Sequence, residues 1–144
     1  MSKYILDTDR VTLFQHNHSK ICQRAREIGN DSIFVTVVTL QEQLQGRLAT
    51  IHKLSANKNK KPELLSVAYH NLRKTQEFFC NLQLLDFDDA ANTYYQNLRQ
   101  QKVSVGTHDL RIAAIALVNQ AVVAVRNKKD FSKFPNLPLE DWSL

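Results

Sequence analysis

The chain has 144 residues, 43% of them hydrophobic, which is apolar material for one ordinary core, so a single domain spanning 1–144 is expected. Three Gly and three Pro exclude a loop-dominated or low-complexity protein, and no apolar run approaches the roughly 20 residues that cross a bilayer, so no membrane partner is expected. Lys and Arg number 19 against 14 Asp and Glu, a net charge of +5 and a pI near 9.3, which favours polyanions or an acidic protein as partners.

The chain passes from Met1-Ser2-Lys3 directly into Tyr4-Ile5-Leu6 without the apolar stretch and cleavage site of a signal peptide, and a cytoplasmic protein is expected. Tyr4-Ile5-Leu6 then ends in Asp7-Thr8-Asp9, the pattern of a buried strand leading into a turn. A second run, Ile33-Phe34-Val35, leads through Thr36-Val37-Val38 to Thr39, placed to cap a helix with Leu40, Leu44, Leu48 and Ile51 on one stripe. The basic stretch Asn57 to Pro62 reads as an exposed, mobile loop. Pro62-Glu63 opens a helix that carries Leu64, Leu65, Ala68 and Leu72 at helical spacing to about Cys80, and Leu82 to Phe87 forms a third strand.

Asp88 or Asp89 can cap the next helix, in which Ala91, Tyr94, Tyr95 and Leu98 repeat at i, i+3, i+4 and i+7 as an amphipathic face. After Gly106, Thr107 or His108 can cap a helix with Leu110, Ala113, Ala114 and Leu117 on its face, and Ala121 to Val125 follows as a fully apolar strand. Beyond Asn127 a helical turn around Asp130 and Phe131 leads to Leu137-Pro138-Leu139, an edge strand where Pro is tolerated. Cys22 and Cys80 lie far apart, outside any CxxC or Cys/His cluster, and are expected as buried free thiols rather than zinc ligands.

Strands alternating with helices, and apolar runs rather than alternating ones, predict an α/β fold with a parallel sheet covered on both faces. In such sheets the functional crevice lies beyond the carboxyl ends of the strands. Asp7, Glu42, Asp109 and Asp130 each stand just past a strand end or early in a helix. Singly, Glu42 has the capping-box spacing from Thr39, Asp109 suits the positive end of a helix dipole, and Asp130 follows Asn127 in a similar arrangement. Asp7 is different, because a carboxylate ending a buried strand carries a desolvation cost.

Jointly, carboxylates gathered at one edge repel and take up protons unless a divalent cation neutralises them. An oxygen-only donor set suits Mg²⁺ or Mn²⁺ better than zinc. His108 adjoins Asp109, but neighbours in a helix do not share a face, which makes it a supporting or surface residue. Arg47, Arg111, Arg126, Lys128 and Lys129 are candidates to meet the phosphates of a polyanion around such an acidic pit. Tyr94 and Tyr95 fall on the apolar stripe and are expected in core or dimer packing rather than in base stacking.

These segments resemble the PIN-domain family, and within it the VapC-type ribonuclease toxins of toxin–antitoxin pairs. KYILDTD (Lys3 to Asp9) looks like the family's first-strand motif, and SIFVTVVTLQEQLQGRL (Ser32 to Leu48) like its strand, cap and acidic helix. VGTHDLRIAAIAL (Val105 to Leu117) resembles its third acidic motif, AVVAVRNKKDF (Ala121 to Phe131) its final strand and turn, and LPLEDW (Leu137 to Trp142) its ending.

The resemblance implies a three-layer α/β/α domain whose mainly parallel sheet of four or five strands is flanked by helices. It implies a metal centre of Asp7, Glu42, Asp109 and Asp130, supported by Thr8, Asp9 and Asn127. It further implies a homodimeric, Mg²⁺-dependent endoribonuclease held in check by a cognate antitoxin, hydrolysing RNA through a metal-activated water to leave a 5′-phosphate and a 3′-hydroxyl. Two positions depart from the family pattern: Asp9 stands where an Asn is usual, and Val125 where many relatives carry Ser or Thr. Loss of that hydroxyl defines the alternative, a catalytically idle protein of the same fold that binds RNA or an antitoxin. A receiver-like phosphoacceptor domain fits poorly, because Leu84-Leu85-Asp86 lies in an unrelated context.

Overall fold

The computed structural model describes residues 2–57, 61–103, 105–126, 128–134 and 136–142, with Asp130 by its main chain only. Residues 58–60 of the basic stretch therefore lie outside the described residues. The chain divides into two compact units, Met1–Thr39 with Gln83–Leu144, and Leu40–Leu82.

The first unit holds a five-stranded sheet in the order β3-β2-β1-β4-β5, formed by β1 (Tyr4–Leu6), β2 (Ile33–Thr36), β3 (Leu84–Leu85), β4 (Val122–Val125) and β5 (Leu139–Asp141). Every pairing is parallel, with Tyr4 and Ile5 opposite Ile33 and Phe34 on one side of β1, and Tyr4, Ile5 and Leu6 opposite Val122, Val123 and Ala124 on the other. Consecutive strand residues point to opposite faces. Ile5, Leu6, Val123, Ala124 and Val125 are all fully buried, so both faces of the sheet are covered.

Ile5, Val123 and Val125 join one core with Tyr95 and Leu98 of α5 (Asp89–Gln100) and with Leu110, Ala113 and Ile115 of α6 (Thr107–Val118). Leu6 and Ala124 face the other side, where α1 (Thr8–Gln15) lies against β1 and β4 and packs with α2 (Ser19–Ile28). Helix, sheet and helix thus form three layers, with α6 buried almost all round by its run Ile112 to Ala116. The expected strand Leu82 to Phe87 shortens to Leu84–Leu85, because Asp88 accepts the N–H of Ala91 at 2.9 Å and draws the chain into α5. The expected edge strand shifts to Leu139–Asp141, where Pro138 needs no N–H in the ladder and lends its carbonyl to Val123 at 3.0 Å.

In place of the expected turn, Asp7 caps α1, which Thr8 and Asp9 open, and α2 follows it. Ile21, Ala25 and Ile28 at i, i+4 and i+7 carry the helical signal of α2, whereas α1 buries only Arg10 and Val11 and has a weak pattern. The helix expected to start at Thr39 starts at Val37, because Thr36 Oγ1 accepts the N–H of Thr39 at 3.2 Å and so caps the helix itself. At α6 the cap is Gly106 rather than Thr107 or His108, with no side-chain bond to the helix start. Tyr94 leaves the expected apolar face and is 44% exposed, while Ala91, Tyr95 and Leu98 are buried.

The second unit contains most of α3 (Val37–Ala56) and all of α4 (Pro62–Cys80). Ile51, Ala68, Thr75 and Phe79 are its buried positions. Leu48 and Leu64, expected on apolar stripes, are about half exposed. Neither cysteine is buried as expected: both thiols are free, Cys22 half-buried beside the Phe14 carbonyl and Cys80 exposed, with Sγ accepting from Gln76 Nε2.

Candidate active site

The chain runs outward from β1 through β2 to β3, then returns to place β4 on the other side of β1. In open parallel sheets such a reversal is where ligand sites form, and here it falls past the carboxyl ends of β1 and β4. Asp7 is the first residue beyond β1, and its N–H continues the ladder by donating to the Ala124 carbonyl at 3.1 Å.

Asp7 is 8% exposed and its side chain caps α1, with Oδ1 accepting the N–H of Arg10 at 2.8 Å. The carboxylate expected to lack a helix-end role therefore has one. Burial pushes its carboxyl from the ordinary 3.8 up to about 6; the N–H of Arg10 works against the rise, the charge of Asp9 adds to it, and the Arg10 guanidinium and the N–H of Arg126 oppose it. Arg126 directly follows β4, so the ends of both central strands meet at this carboxylate.

Asp109 is the third residue of α6 and half-buried. Because α6 packs on β4 and joins it through the short turn 119–121, the helix must run back along the strand, which puts its first turn at the carboxyl end of β4. Asp130 closes the 3₁₀ turn Lys128–Asp130 after β4, at the same end of the sheet; its side chain and Asn127 lie outside the described residues. Glu42 belongs to the second unit, half-buried in the second turn of α3. With Thr36 as the cap, the capping-box explanation for Glu42 no longer applies. Thr8 is half-buried with its hydroxyl 3.5 Å from that of Thr39, and Asp9 is exposed. Val125 is fully buried, its carbonyl accepting the N–H of Trp142 at 2.7 Å.

Asp7, Asp109 and Asp130 thus belong to elements that finish or begin at one end of the sheet, and they offer oxygen without thiol or imidazole, a donor chemistry that fits Mg²⁺ or Mn²⁺. A cation there would offset the desolvation that raises Asp7. Among the described residues, no group of three or more His, Cys, Asp or Glu side chains is already gathered to hold a metal.

The basic candidates separate by environment. Arg126, Lys128 and Lys129 are exposed just beyond β4. Arg47 donates from Nε to Thr75 Oγ1 at 3.0 Å within the second unit. The Arg111 guanidinium lies 5.2 Å from the centre of the buried Tyr95 ring, which the Arg99 guanidinium also meets at 5.6 Å. One residue went unnoticed in the sequence: Arg10, 2% exposed, with Nη1 donating to the Trp142 carbonyl at 2.7 Å and Nε 3.9 Å from Asp7 Oδ1. Its signal was the i, i+3 spacing from Asp7, readable only once α1 is recognised as a helix.

No protein-family model matches the chain. Ribonuclease VapC2 of Rickettsia felis is 29% identical, covering 96% of this chain and 97% of the relative. The tRNA(fMet)-specific endonuclease VapC of Salmonella typhimurium is 25% identical, covering 99% of both. Among solved structures, VapBC2 from Rickettsia felis bound to a DNA fragment from their promoter contains a chain that superposes with a TM-score of 0.68 at 25% identity, over 97% of this chain and 98% of that one. The resemblance to VapC-type PIN proteins therefore holds from end to end, in sequence and in the α/β/α fold.

Proposed function

We propose that this relative of the VapC ribonucleases is itself a metal-dependent endoribonuclease and the toxin of a toxin–antitoxin pair, a cytoplasmic homodimer restrained by a cognate antitoxin. The observation that carries the reading is Asp7: a buried carboxylate at the switch point of the sheet, pushed up to about 6 by burial, which a bound divalent cation would hold ionised. Kinship with named ribonucleases over the whole chain supports it.

Asp7, Asp109, Glu42 and Asp130 would hold Mg²⁺, or Mn²⁺ in its place. When bound, such a cation supplies Lewis acidity toward a phosphoryl oxygen and lowers the pKa of a water for in-line attack. The chain's own part is geometric and electrostatic. The cap bond from the Arg10 N–H and the Arg126 N–H orient the Asp7 carboxylate, leaving it little freedom to lose on ligation. Arg126, Lys128 and Lys129, exposed at the same end of the sheet, would meet the RNA phosphates. Arg47 and Arg111, already engaged with Thr75 and Tyr95, are weaker candidates for that contact.

The test is incubation of the purified protein with total cellular RNA in Mg²⁺ or in EDTA, followed by mapping of new 5′ ends. Cleavage that requires Mg²⁺ and disappears in Asp7→Asn is expected. Cleavage unaffected by EDTA would sink the metal reading, and RNA binding without any cleavage would identify the idle binding protein instead.

A further inference from the structure

We propose that Arg10 is a positioning residue for the Asp7 carboxylate, and that the main chain of Trp142 sets where Arg10 can act. The proposal rests on the nuclease reading above and deepens it, by making Trp142, the residue after β5, part of the support of the metal site.

An arginine buried to 2% exposure needs partners, because a guanidinium removed from water is costly unless paired and hydrogen-bonded. Arg10 has one short bond, from Nη1 to the Trp142 carbonyl at 2.7 Å, while its Nε is buried with no hydrogen-bond partner among the described residues. That Nε stands 3.9 Å from Asp7 Oδ1. The gap is too long for a hydrogen bond, yet short enough for Coulomb attraction to restrain where the Asp7 carboxylate sits. An arginine free to move would close it and form the two-pronged pair at about 2.7–2.9 Å, occupying the lone pairs a cation needs. Here the bond to Trp142 holds the guanidinium back.

Trp142 is itself held. Its N–H donates to the Val125 carbonyl at 2.7 Å, its ring Nε1 donates to Glu140 Oε1 at 2.9 Å, and it is 4% exposed beside Tyr4 and Arg24. The links therefore close into a ring: Asp7 to Ala124 through the β1–β4 ladder, Val125 to Trp142, Trp142 to Arg10, and Arg10 back to Asp7. Within that ring the Asp7 carboxylate is held in place by a charge that does not occupy the lone pairs a cation needs.

The experiment compares wild type, Arg10→Met and Arg10→Lys by calorimetric titration with Mg²⁺ alone, by kcat and KM for RNA cleavage, and by thermal unfolding. Arg10→Met is expected to weaken Mg²⁺ binding by about 10–100-fold, the range for groups that orient a metal ligand, and to lower the cleavage rate at fixed Mg²⁺ with KM for RNA unchanged. Arg10→Lys restores part of both, since it keeps the charge but not the fork that fixes its position. A purely structural arginine would change the unfolding temperature and leave the Mg²⁺ affinity of the folded protein alone, and that result overturns the proposal. So does a rise in KM alone, which would make Arg10 a phosphate contact. If Arg10→Met does not fold, Arg10→Lys decides: wild-type Mg²⁺ affinity there overturns the proposal, and weakened affinity supports it. A wild type that neither binds Mg²⁺ nor cleaves RNA overturns the parent reading and this one with it, whereas a wild type that cleaves beside an equally Mg²⁺-avid Arg10→Met overturns this one alone.

Discussion

The carboxylate of Asp7 accepts the N–H of Arg10 at 2.8 Å while the guanidinium of the same arginine stays 3.9 Å away, so the main chain of Arg10 completes the cap and its side chain neighbours the charge. The bond fixes the carboxylate just past the carboxyl end of β1. Asp7→Asn keeps an acceptor for the cap and removes the charge, so cleavage should fall to background with the circular dichroism unchanged. Asp109→Asn should behave alike, at a stability cost of about 0.3–1 kcal/mol from the lost interaction with the α6 dipole. Persistent cleavage in either folded variant would remove that residue from the centre.

Metal-free stability should depend on pH through Asp7. Its folded pKa of about 6 lies above the ordinary 3.8, so the folded protein binds this proton more tightly than the unfolded chain does. The resulting stabilisation is complete below about pH 4 and is lost as pH rises through about 6, a difference on the order of 3 kcal/mol. Urea unfolding in EDTA across that window should show the decline in wild type and a flatter profile in Asp7→Asn. Parallel profiles would refute the assignment, and added Mg²⁺ should recover stability at the upper end.

Thr36 is fully buried and caps α3 through the N–H of Thr39. Thr36→Val preserves the shape and strands that N–H, which should cost about 0.5–2 kcal/mol in chemical unfolding. Glu42→Gln, lying beyond the first turn, should leave the cap of α3 intact while lowering Mg²⁺-dependent cleavage. A stability loss at Glu42 equal to that at Thr36 would restore the capping role.

Arg126→Ala and Lys128→Ala should each reduce the salt dependence of RNA binding by about 0.7 in the log–log slope, as expected for one single-strand phosphate contact. Arg47→Ala should leave that slope alone and lower stability, because its Nε bonds Thr75, whose own hydroxyl donates to the Asn71 carbonyl at 2.9 Å. Binding measured from low to moderate salt separates the two outcomes.

What the sequence determined by itself was periodicity and motif. The apolar runs at Tyr4 to Leu6, Ile33 to Val35 and Ala121 to Val125 suited strands covered on both faces, since no polar residue alternates with them. The family resemblance, carried by segments spread across the chain, added the fold and the candidate acids. Helix α1 was invisible because only Arg10 and Val11 of its residues are buried, and a buried arginine reads in sequence as a surface one. Cap positions also escaped, for Thr36 and Thr39 are equally good caps in isolation and the choice falls to where β2 releases the chain. Only the tertiary structure decided that Asp7 is at once cap and buried charge, and that Trp142, distant in sequence, fixes the arginine beside it. Both follow from β4 lying between β1 and β5, a long-range pairing that no local pattern encodes.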